Sequence, residues 1–155
     1  MTAMRIRAAR ADEAGLLSGL ALRSKAYWGY DAAFMAACRD ELTLAPAEIA
    51  PRRATVAVDD RDRVLGFATL EGEPLTGDLG MLFVAPEAIG QGIGRLLLDH
   101  LVTTARELGF TGLTIDADPN AEPFYRAMGA VRTGTVPSES IPGRVLPQLL
   151  LSVGP

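Results

Sequence analysis

Two hydrophobic periods share the chain. Met4–Ala8 is a short run of extended character. From Asp12 to Lys25, the apolar positions Leu16, Leu17, Leu20 and Ala21 recur at helical spacing, and Asp12 and Glu13 suit the positive end of that helix's dipole. Asp31 is placed to cap a second helix over Ala32–Leu42, whose apolar face includes Phe34, Met35 and Cys38. Pro46 and Pro51 bracket a third short helical piece or a loop. Thr55–Val58 and Val64–Leu70 are β-rich runs separated by Asp59–Arg63, a hairpin signal, and Leu79–Val84 is a further strand after the turn-prone segment 72–77.

Beyond Pro86 a longer helix is expected over Gly92–Leu108. Its stripe is Leu97, Leu98, Leu101, Ala105 and Leu108, and Gly109 ends it. Leu113–Ala117 reads as a strand and Asn120–Met128 as a short helix closed by Gly129. Strands around Val131–Val136 and Leu146–Val153 follow, split by a Pro/Gly-rich loop. The order β-α-α-β-β-β-α-β-α-β-β contains no repeat and no linker. It predicts an α/β fold with a mixed sheet and helices on both faces.

Composition narrows the class. The 155 residues fit one domain spanning the whole chain, 1–155. With 48% hydrophobic and 22% charged residues, a disordered, collagen-like or coiled-coil chain is excluded. The uninterrupted apolar runs, such as Leu96–Leu98 and Leu149–Leu151, fall far short of the ~20 residues of a spanning helix, so no membrane association is expected. No secretory signal follows Met1–Arg10. The formal charge is −4 and the densest basic pair is Arg52-Arg53, which argues against nucleic acid as a partner. Cys38 is the sole cysteine and His100 the sole histidine, so neither an intrachain disulfide nor a cysteine metal cluster is expected, and the compartment is read as the reducing cytoplasm. His100 falls off the apolar stripe of its helix and reads as a solvated surface residue.

The chemistry concentrates in Leu82–Arg95, where a strand runs into a loop with Gly90, Gly92 and Gly94 at alternate positions and the loop opens a helix. Backbone without Cβ atoms approaches an anion closely, and a helix start adds unpaired N–H donors and about half a positive charge, a combination suited to a pyrophosphate. A Walker A loop needs Gly-Lys-Ser/Thr, whereas Gly94 is followed by Arg95 and Leu96. A dinucleotide fingerprint would need a further glycine where Arg95 or Leu97 stands. Asp116 does lie at the end of the next strand, where a ribose-binding acid would sit, so a Rossmann-type nucleotide-binding domain stays open as an alternative.

Leu82–Leu98 resembles the acyl-CoA-binding motif of the GNAT superfamily of N-acetyltransferases, Gln/Arg-x-x-Gly-x-Gly/Ala after a strand. Here it reads Ile89-Gly90-Gln91-Gly92-Ile93-Gly94, with Ile89 in the place of the usual Gln or Arg. Downstream, Asn120–Ala130 is similar to the family's second CoA-contacting segment, Asn…Phe-Tyr-x-x-x-Gly-Phe, with Ala130 in place of the aromatic. The resemblance covers nearly the whole chain. It implies a mixed, mostly antiparallel central sheet of about seven strands flanked by helices on both faces, and transfer of an acetyl group from acetyl-CoA to a small-molecule amine by direct attack in a ternary complex, without a metal.

The same resemblance assigns roles. The Leu79–Val84 strand would splay from its parallel neighbour Leu113–Ala117, with the pantetheine arm bonded near Leu82, Phe83 and Val84. Ile89, Gly90, Gln91, Gly92, Ile93, Gly94 and Arg95 would hold the pyrophosphate. Asn120 would bond the pantetheine or local backbone, Phe124 would belong to the same segment, and Arg126 is a candidate for the 3′-phosphate. Tyr125 is the candidate proton donor to the leaving thiolate, or else a core aromatic paired with Phe124. Asp78 and Glu71 are the candidate general bases, against the alternative of exposed turn carboxylates. For the acceptor, the aromatic break Tyr27-Trp28-Gly29-Tyr30 nominates Trp28 and Tyr30, and the loop 137–144 nominates Ser138 and Arg144; both are equally readable as structural loops. Dimers are common in the family, so a homodimer is compatible. A CoA-binding sensor without catalysis is the remaining alternative.

Overall fold

A computed structural model of the chain describes residues 3–154. Seven strands form one sheet: β1 (Arg5–Ala8), β2 (Thr55–Val58), β3 (Val64–Glu71), β4 (Thr76–Val84), β5 (Gly112–Asp116), β6 (Val131–Pro137) and β7 (Val145–Ser152). Their spatial order is β1-β2-β3-β4-β5-β7-β6. Only β4 and β5 run parallel; every other neighbouring pair is antiparallel. The doubly wound nucleotide-binding alternative is thereby corrected, because that architecture rests on successive parallel strands.

Four α-helices accompany the sheet: α1 (Ala14–Ala26), α2 (Ala32–Cys38), α3 (Ile93–Glu107) and α4 (Glu122–Ala127). Helix α3 turns Ile93, Leu97, Leu98, Leu101 and Ala105 into the core. Gly109, at φ +94°, stops it, and Leu108 lies beyond the last turn and is exposed rather than part of the stripe. Helix α1 buries Leu17, Leu20 and Ala21, while Leu16 faces outward. Among the described residues no helix is long and apolar enough to cross a membrane.

Helix α2 is shorter than the pattern predicts. Asp31 caps it as expected, accepting from the Phe34 amide at 2.8 Å, but the helix ends at Cys38. Residues 39–42 follow as hydrogen-bonded turns, the Leu42 amide donating to the Cys38 carbonyl at 3.2 Å, and they carry Leu42 and then Leu44 into the core. Pro46–Glu48 forms a single 3-10 turn. The β2–β3 hairpin is as expected, and one carboxylate organises its turn, Asp59 accepting from the amides of Arg61 and Arg63, each at 2.9 Å.

The largest departure is β4, which begins at Thr76 rather than Leu79. Its first residues are recruited by β5, with Thr76, Gly77 and Asp78 in register with Gly112, Leu113 and Thr114. Gly77 is buried there, and only glycine fits, because a Cβ would collide with the Phe110 ring. Asp78 therefore lies within the sheet rather than at a strand entrance, opposite Glu71 on β3 and Thr114 on β5.

Candidate active site

The parallel pairing of β4 with β5 stops after three residues. From Leu79 to Val84, β4 continues paired only with β3, while β5 runs on against β7 to Asp116. The two strands thus diverge, and one edge of β4 faces a cavity of about 1260 Å³ lined by Leu82, Phe83 and Val84 among others. An unpaired strand edge offers N–H and C=O groups to any extended, amide-bearing ligand.

Past Val84 the chain makes a 3-10 turn at Pro86–Ala88 and enters the glycine turn. Gly90 has φ +87° and Gly92, the residue before α3, has φ +81°. At either position a Cβ would meet no atom within 4 Å. Backbone conformation and not crowding therefore demands glycine here, and the space outside the turn is open. Gly94 differs, since its missing Cβ leaves room for the Phe124 ring, whose Cζ would lie 3.3 Å away. The first α-helical bond runs from the Leu96 amide to the Gly92 carbonyl at 3.0 Å, so the amides of Ile93, Gly94 and Arg95 remain as donors at the positive end of α3. Ile89, Gly90, Gly92, Ile93, Gly94 and Arg95 all line the cavity. Gln91 is exposed and does not.

Helix α4 supplies Phe124 and Tyr125, whose rings meet edge-on at 5.2 Å. Tyr125 is only 6% exposed, yet its side chain lines the cavity. Among the described residues no hydrogen bond engages its hydroxyl, and no buried polar side-chain atom is left without a partner, so the hydroxyl opens on the cavity. Burial pushes the phenol well above its usual pKa, and the nearby Asp118 charge pushes the same way. Arg126, the candidate for the 3′-phosphate, points elsewhere. Its guanidinium donates to Glu122 one turn back at 3.0 Å and does not line the cavity.

The two candidate bases separate. Asp78 is exposed on β4, yet partial desolvation raises its pKa, and the charges of Asp116 and Glu71 add to it. Among the described residues no cation pairs with it. Glu71 is already engaged: its Oε2 accepts from Arg52 Nε at 2.9 Å, Arg52 Nη2 at 2.8 Å and Thr69 Oγ1 at 2.7 Å. Gly80 makes room for this carboxylate, since a Cβ would run into it.

Of the acceptor-site candidates only Trp28 lines the cavity, beside Tyr27. Tyr30 and Arg144 are drawn instead into a polar cluster centred on Asp118. That carboxylate accepts from Lys25 Nζ at 2.8 Å, the Tyr30 hydroxyl at 2.9 Å and the Asn120 amide at 2.8 Å. Arg144 donates to the Tyr30 hydroxyl at 2.8 Å and stacks over Phe34 with its guanidinium carbon 4.8 Å from the ring centre. The Asn120 side chain donates to Tyr30 and Asp118, at 3.1 and 3.0 Å, rather than to backbone. Burial alone would raise the Asp118 pKa, but the Lys25 ammonium and the other donors outweigh it and hold the group below its ordinary value. Ser138 caps its own loop, accepting from the Ile141 amide at 3.1 Å. Lys25, Asp116 and Asp118 have no local sequence signature, and only the separation of Lys25 from its helix's polar face hints at a buried partner. His100 is exposed, as read from the sequence. Among the described residues no group of three or more His, Cys, Asp or Glu is placed to hold a metal.

The fold and sequence have known counterparts. The peptidyl-lysine N-acetyltransferase YjaB of Salmonella typhimurium is 39% identical over 79 residues, 51% of this chain and 50% of that protein, so the chain spans about half the length of the curated relatives it matches. A GCN5-related N-acetyltransferase of Rhodopseudomonas palustris superposes with a TM-score of 0.77 at 25% identity, covering 98% of this chain and 96% of the other. The PaiA N-acetyltransferase of Thermoplasma acidophilum, solved in complex with coenzyme A, gives 0.79 at 17% identity, over 97% and 99% of the two chains. The sequence model of the acetyltransferase (GNAT) domain matches residues 28–139, a span that contains the diverging strands, the glycine turn and Tyr125. With most of its length inside that match and its sheet in the same mixed arrangement, the chain belongs to the GNAT acetyltransferase family.

Proposed function

We propose that the protein transfers an acetyl group from acetyl-CoA to the amine of a small molecule, by direct attack with both substrates bound. The observation that carries this reading is the open strand edge of β4 leading into two positive-φ glycines and three free amides at the start of α3. An extended amide-bearing arm ending in a diphosphate fits that sequence of groups. The coenzyme A complex of PaiA supports the fit.

Acetyl-CoA supplies the activated acyl group. The chain has to manage two protons. An alkylammonium must lose one before its nitrogen can attack, and Asp78, uncompensated and with its proton affinity raised, is the better placed base of the two acids considered. The sulfur that leaves must gain one, and among the described residues Tyr125 holds the only proton on a cavity-lining phenol that is buried and unbonded. A phenol titrates above a thiol by ~1.5 units in water, and burial raises the phenol further. The same burial disfavours a thiolate beside it, which keeps the transfer within reach.

Thermal shift tests the binding half of the reading and release of CoA thiol tests the rest. Acetyl-CoA and CoA should raise the melting temperature, NAD should not, and an amine should trigger thiol release. Gly92→Val should abolish the CoA-induced rise, because a β-branched side chain at φ +81° is strained by roughly 1–2 kcal/mol and fills the approach to the amides. Stabilisation by NAD alone would defeat the assignment.

A further inference from the structure

Glu71 is clamped at one carboxylate oxygen and bare at the other. Its Oε2 accepts from Arg52 Nε at 2.9 Å, Arg52 Nη2 at 2.8 Å and the hydroxyl of wholly buried Thr69 at 2.7 Å. Among the described residues no hydrogen bond reaches Oε1. No buried polar side-chain atom among them lacks a partner, so Oε1 is accessible, and the partly buried Glu71 lines the cavity. The carboxylate lies over Gly80, in the space that a Cβ there would fill. Gly80 and Asp78 share one face of β4, being two residues apart, and Asp78 stands directly opposite Glu71 in the β3–β4 register. Opposite residues of an antiparallel pair have Cβ atoms about 4.5–5.5 Å apart. A fixed acceptor oxygen, on a carboxylate whose charge Arg52 offsets, therefore stands beside the group that takes the proton of the acceptor ammonium.

The hydrogens on the reacting nitrogen decide what that oxygen holds. A primary alkylammonium has three N–H bonds. It loses one to Asp78 before its nitrogen attacks the acetyl carbon, and a second once the C–N bond has formed and the C–S bond has broken. The sulfur gains a proton from Tyr125, the second nitrogen proton makes that good, and Asp78 passes the first to water. One N–H persists from ammonium to amide. A secondary amine reaches the moment of attack with a single N–H, and that one has to be shed. We propose that Glu71 is a specificity-determining residue, whose Oε1 accepts the one N–H that the acceptor nitrogen keeps and so selects primary over N-methylated amines. Arg52, Thr69 and Gly80 fix that oxygen without touching the substrate. The inference rests on the acetyltransferase reading above and gives Glu71 a task distinct from proton removal.

Initial rates of CoA thiol release with the full chain test it, with n-butylamine and N-methylbutylamine as acceptors. The wild type should favour n-butylamine in kcat/KM by about tenfold or more. In Glu71→Gln, the donors on Arg52 and Thr69 claim the amide oxygen, which leaves the amide NH2 in the place of Oε1 and turns an acceptor into a donor. There kcat/KM for n-butylamine should fall about tenfold or more. That for N-methylbutylamine should change little, and the KM for acetyl-CoA should stay at its wild-type value. Gly80→Ala, which pushes an unaltered carboxylate aside, should weaken the same preference. Equal use of the two amines by the wild type overturns the proposal without need of any variant. So does a preference that survives Glu71→Gln, which would place the selection in the cavity walls, or an equal loss for both amines, which would make Glu71 a tether for Arg52. If acetyl-CoA raises the melting temperature but neither amine releases thiol, the role of Glu71 fails and coenzyme binding stands. If acetyl-CoA does not bind, the acetyltransferase reading itself fails and takes the inference with it.

Discussion

Two residues of the candidate site are shifted in the same sense for different reasons: Tyr125 is buried, whereas Asp78 is exposed and is raised by partial desolvation and the charges of Asp116 and Glu71. Tyr125 and Asp78 both hold their protons more tightly than in water. On the proposed mechanism the phenol is a donor that stays protonated across the working pH range. On the same mechanism a carboxylate with raised proton affinity is the stronger base toward an ammonium. Replacing Tyr125 by Phe removes a hydroxyl that bonds to no described residue, so stability should change by less than ~1 kcal/mol. The acetyl-CoA-induced rise in melting temperature should persist while kcat falls about 10²-fold. Unchanged turnover would reduce Tyr125 to a ring packed on Phe124. The placement of Tyr125 and the glycine turn at the cavity was legible because the signals are local, a short motif beside a strand or helix start. Glu71 was not, because its engagement depends on Arg52, 19 residues earlier on a different element. The sequence shows the acid and cannot show its partner.

At the scale of elements, the Asp118 cluster joins the end of α1, the start of α2, the β5–α4 connection and the β6–β7 loop. Its bonds span 93 residues from Lys25 to Asp118 and 114 from Tyr30 to Arg144. Periodicity carries no trace of such pairings, which is why Tyr30 and Arg144 look like acceptor contacts from sequence and turn out to hold elements together. Lys25 and Asp118 are about nine-tenths buried at their side chains, so removing one partner strands the other charge. Lys25→Met should cost about 3 kcal/mol in urea unfolding at neutral pH. The Asp118 carboxyl is held below its unfolded value, so its contribution is full above pH ~4 and is lost as the pH falls further, through the folded-state pKa. The gap between wild type and Lys25→Met should therefore narrow on acidification. A gap that stays constant, or widens in acid, would show that the cluster does not act through charge.

At the scale of the whole molecule, one parallel pair in an otherwise antiparallel sheet makes the site. The diverging strands open a slot, the glycine turn lies at one end of it, and the Asp118 cluster holds the flanking helices and loop around it. The mixed sheet and helix order were readable from alternating patterns and turn residues. The slot was not, because strand divergence is a property of pairing, and the convergence of six acids on it from positions 41 to 139 appears only on folding. A crystal structure of the chain with acetyl-CoA bound addresses this account at its centre. The diphosphate should accept hydrogen bonds from backbone amides between Gly90 and Arg95, with the pantetheine amides paired along the Leu79–Val84 edge of β4 and the acetyl group on the Tyr125 side of the slot. Coenzyme seated in another cleft, with the edge of β4 and the amides before α3 untouched, would contradict it.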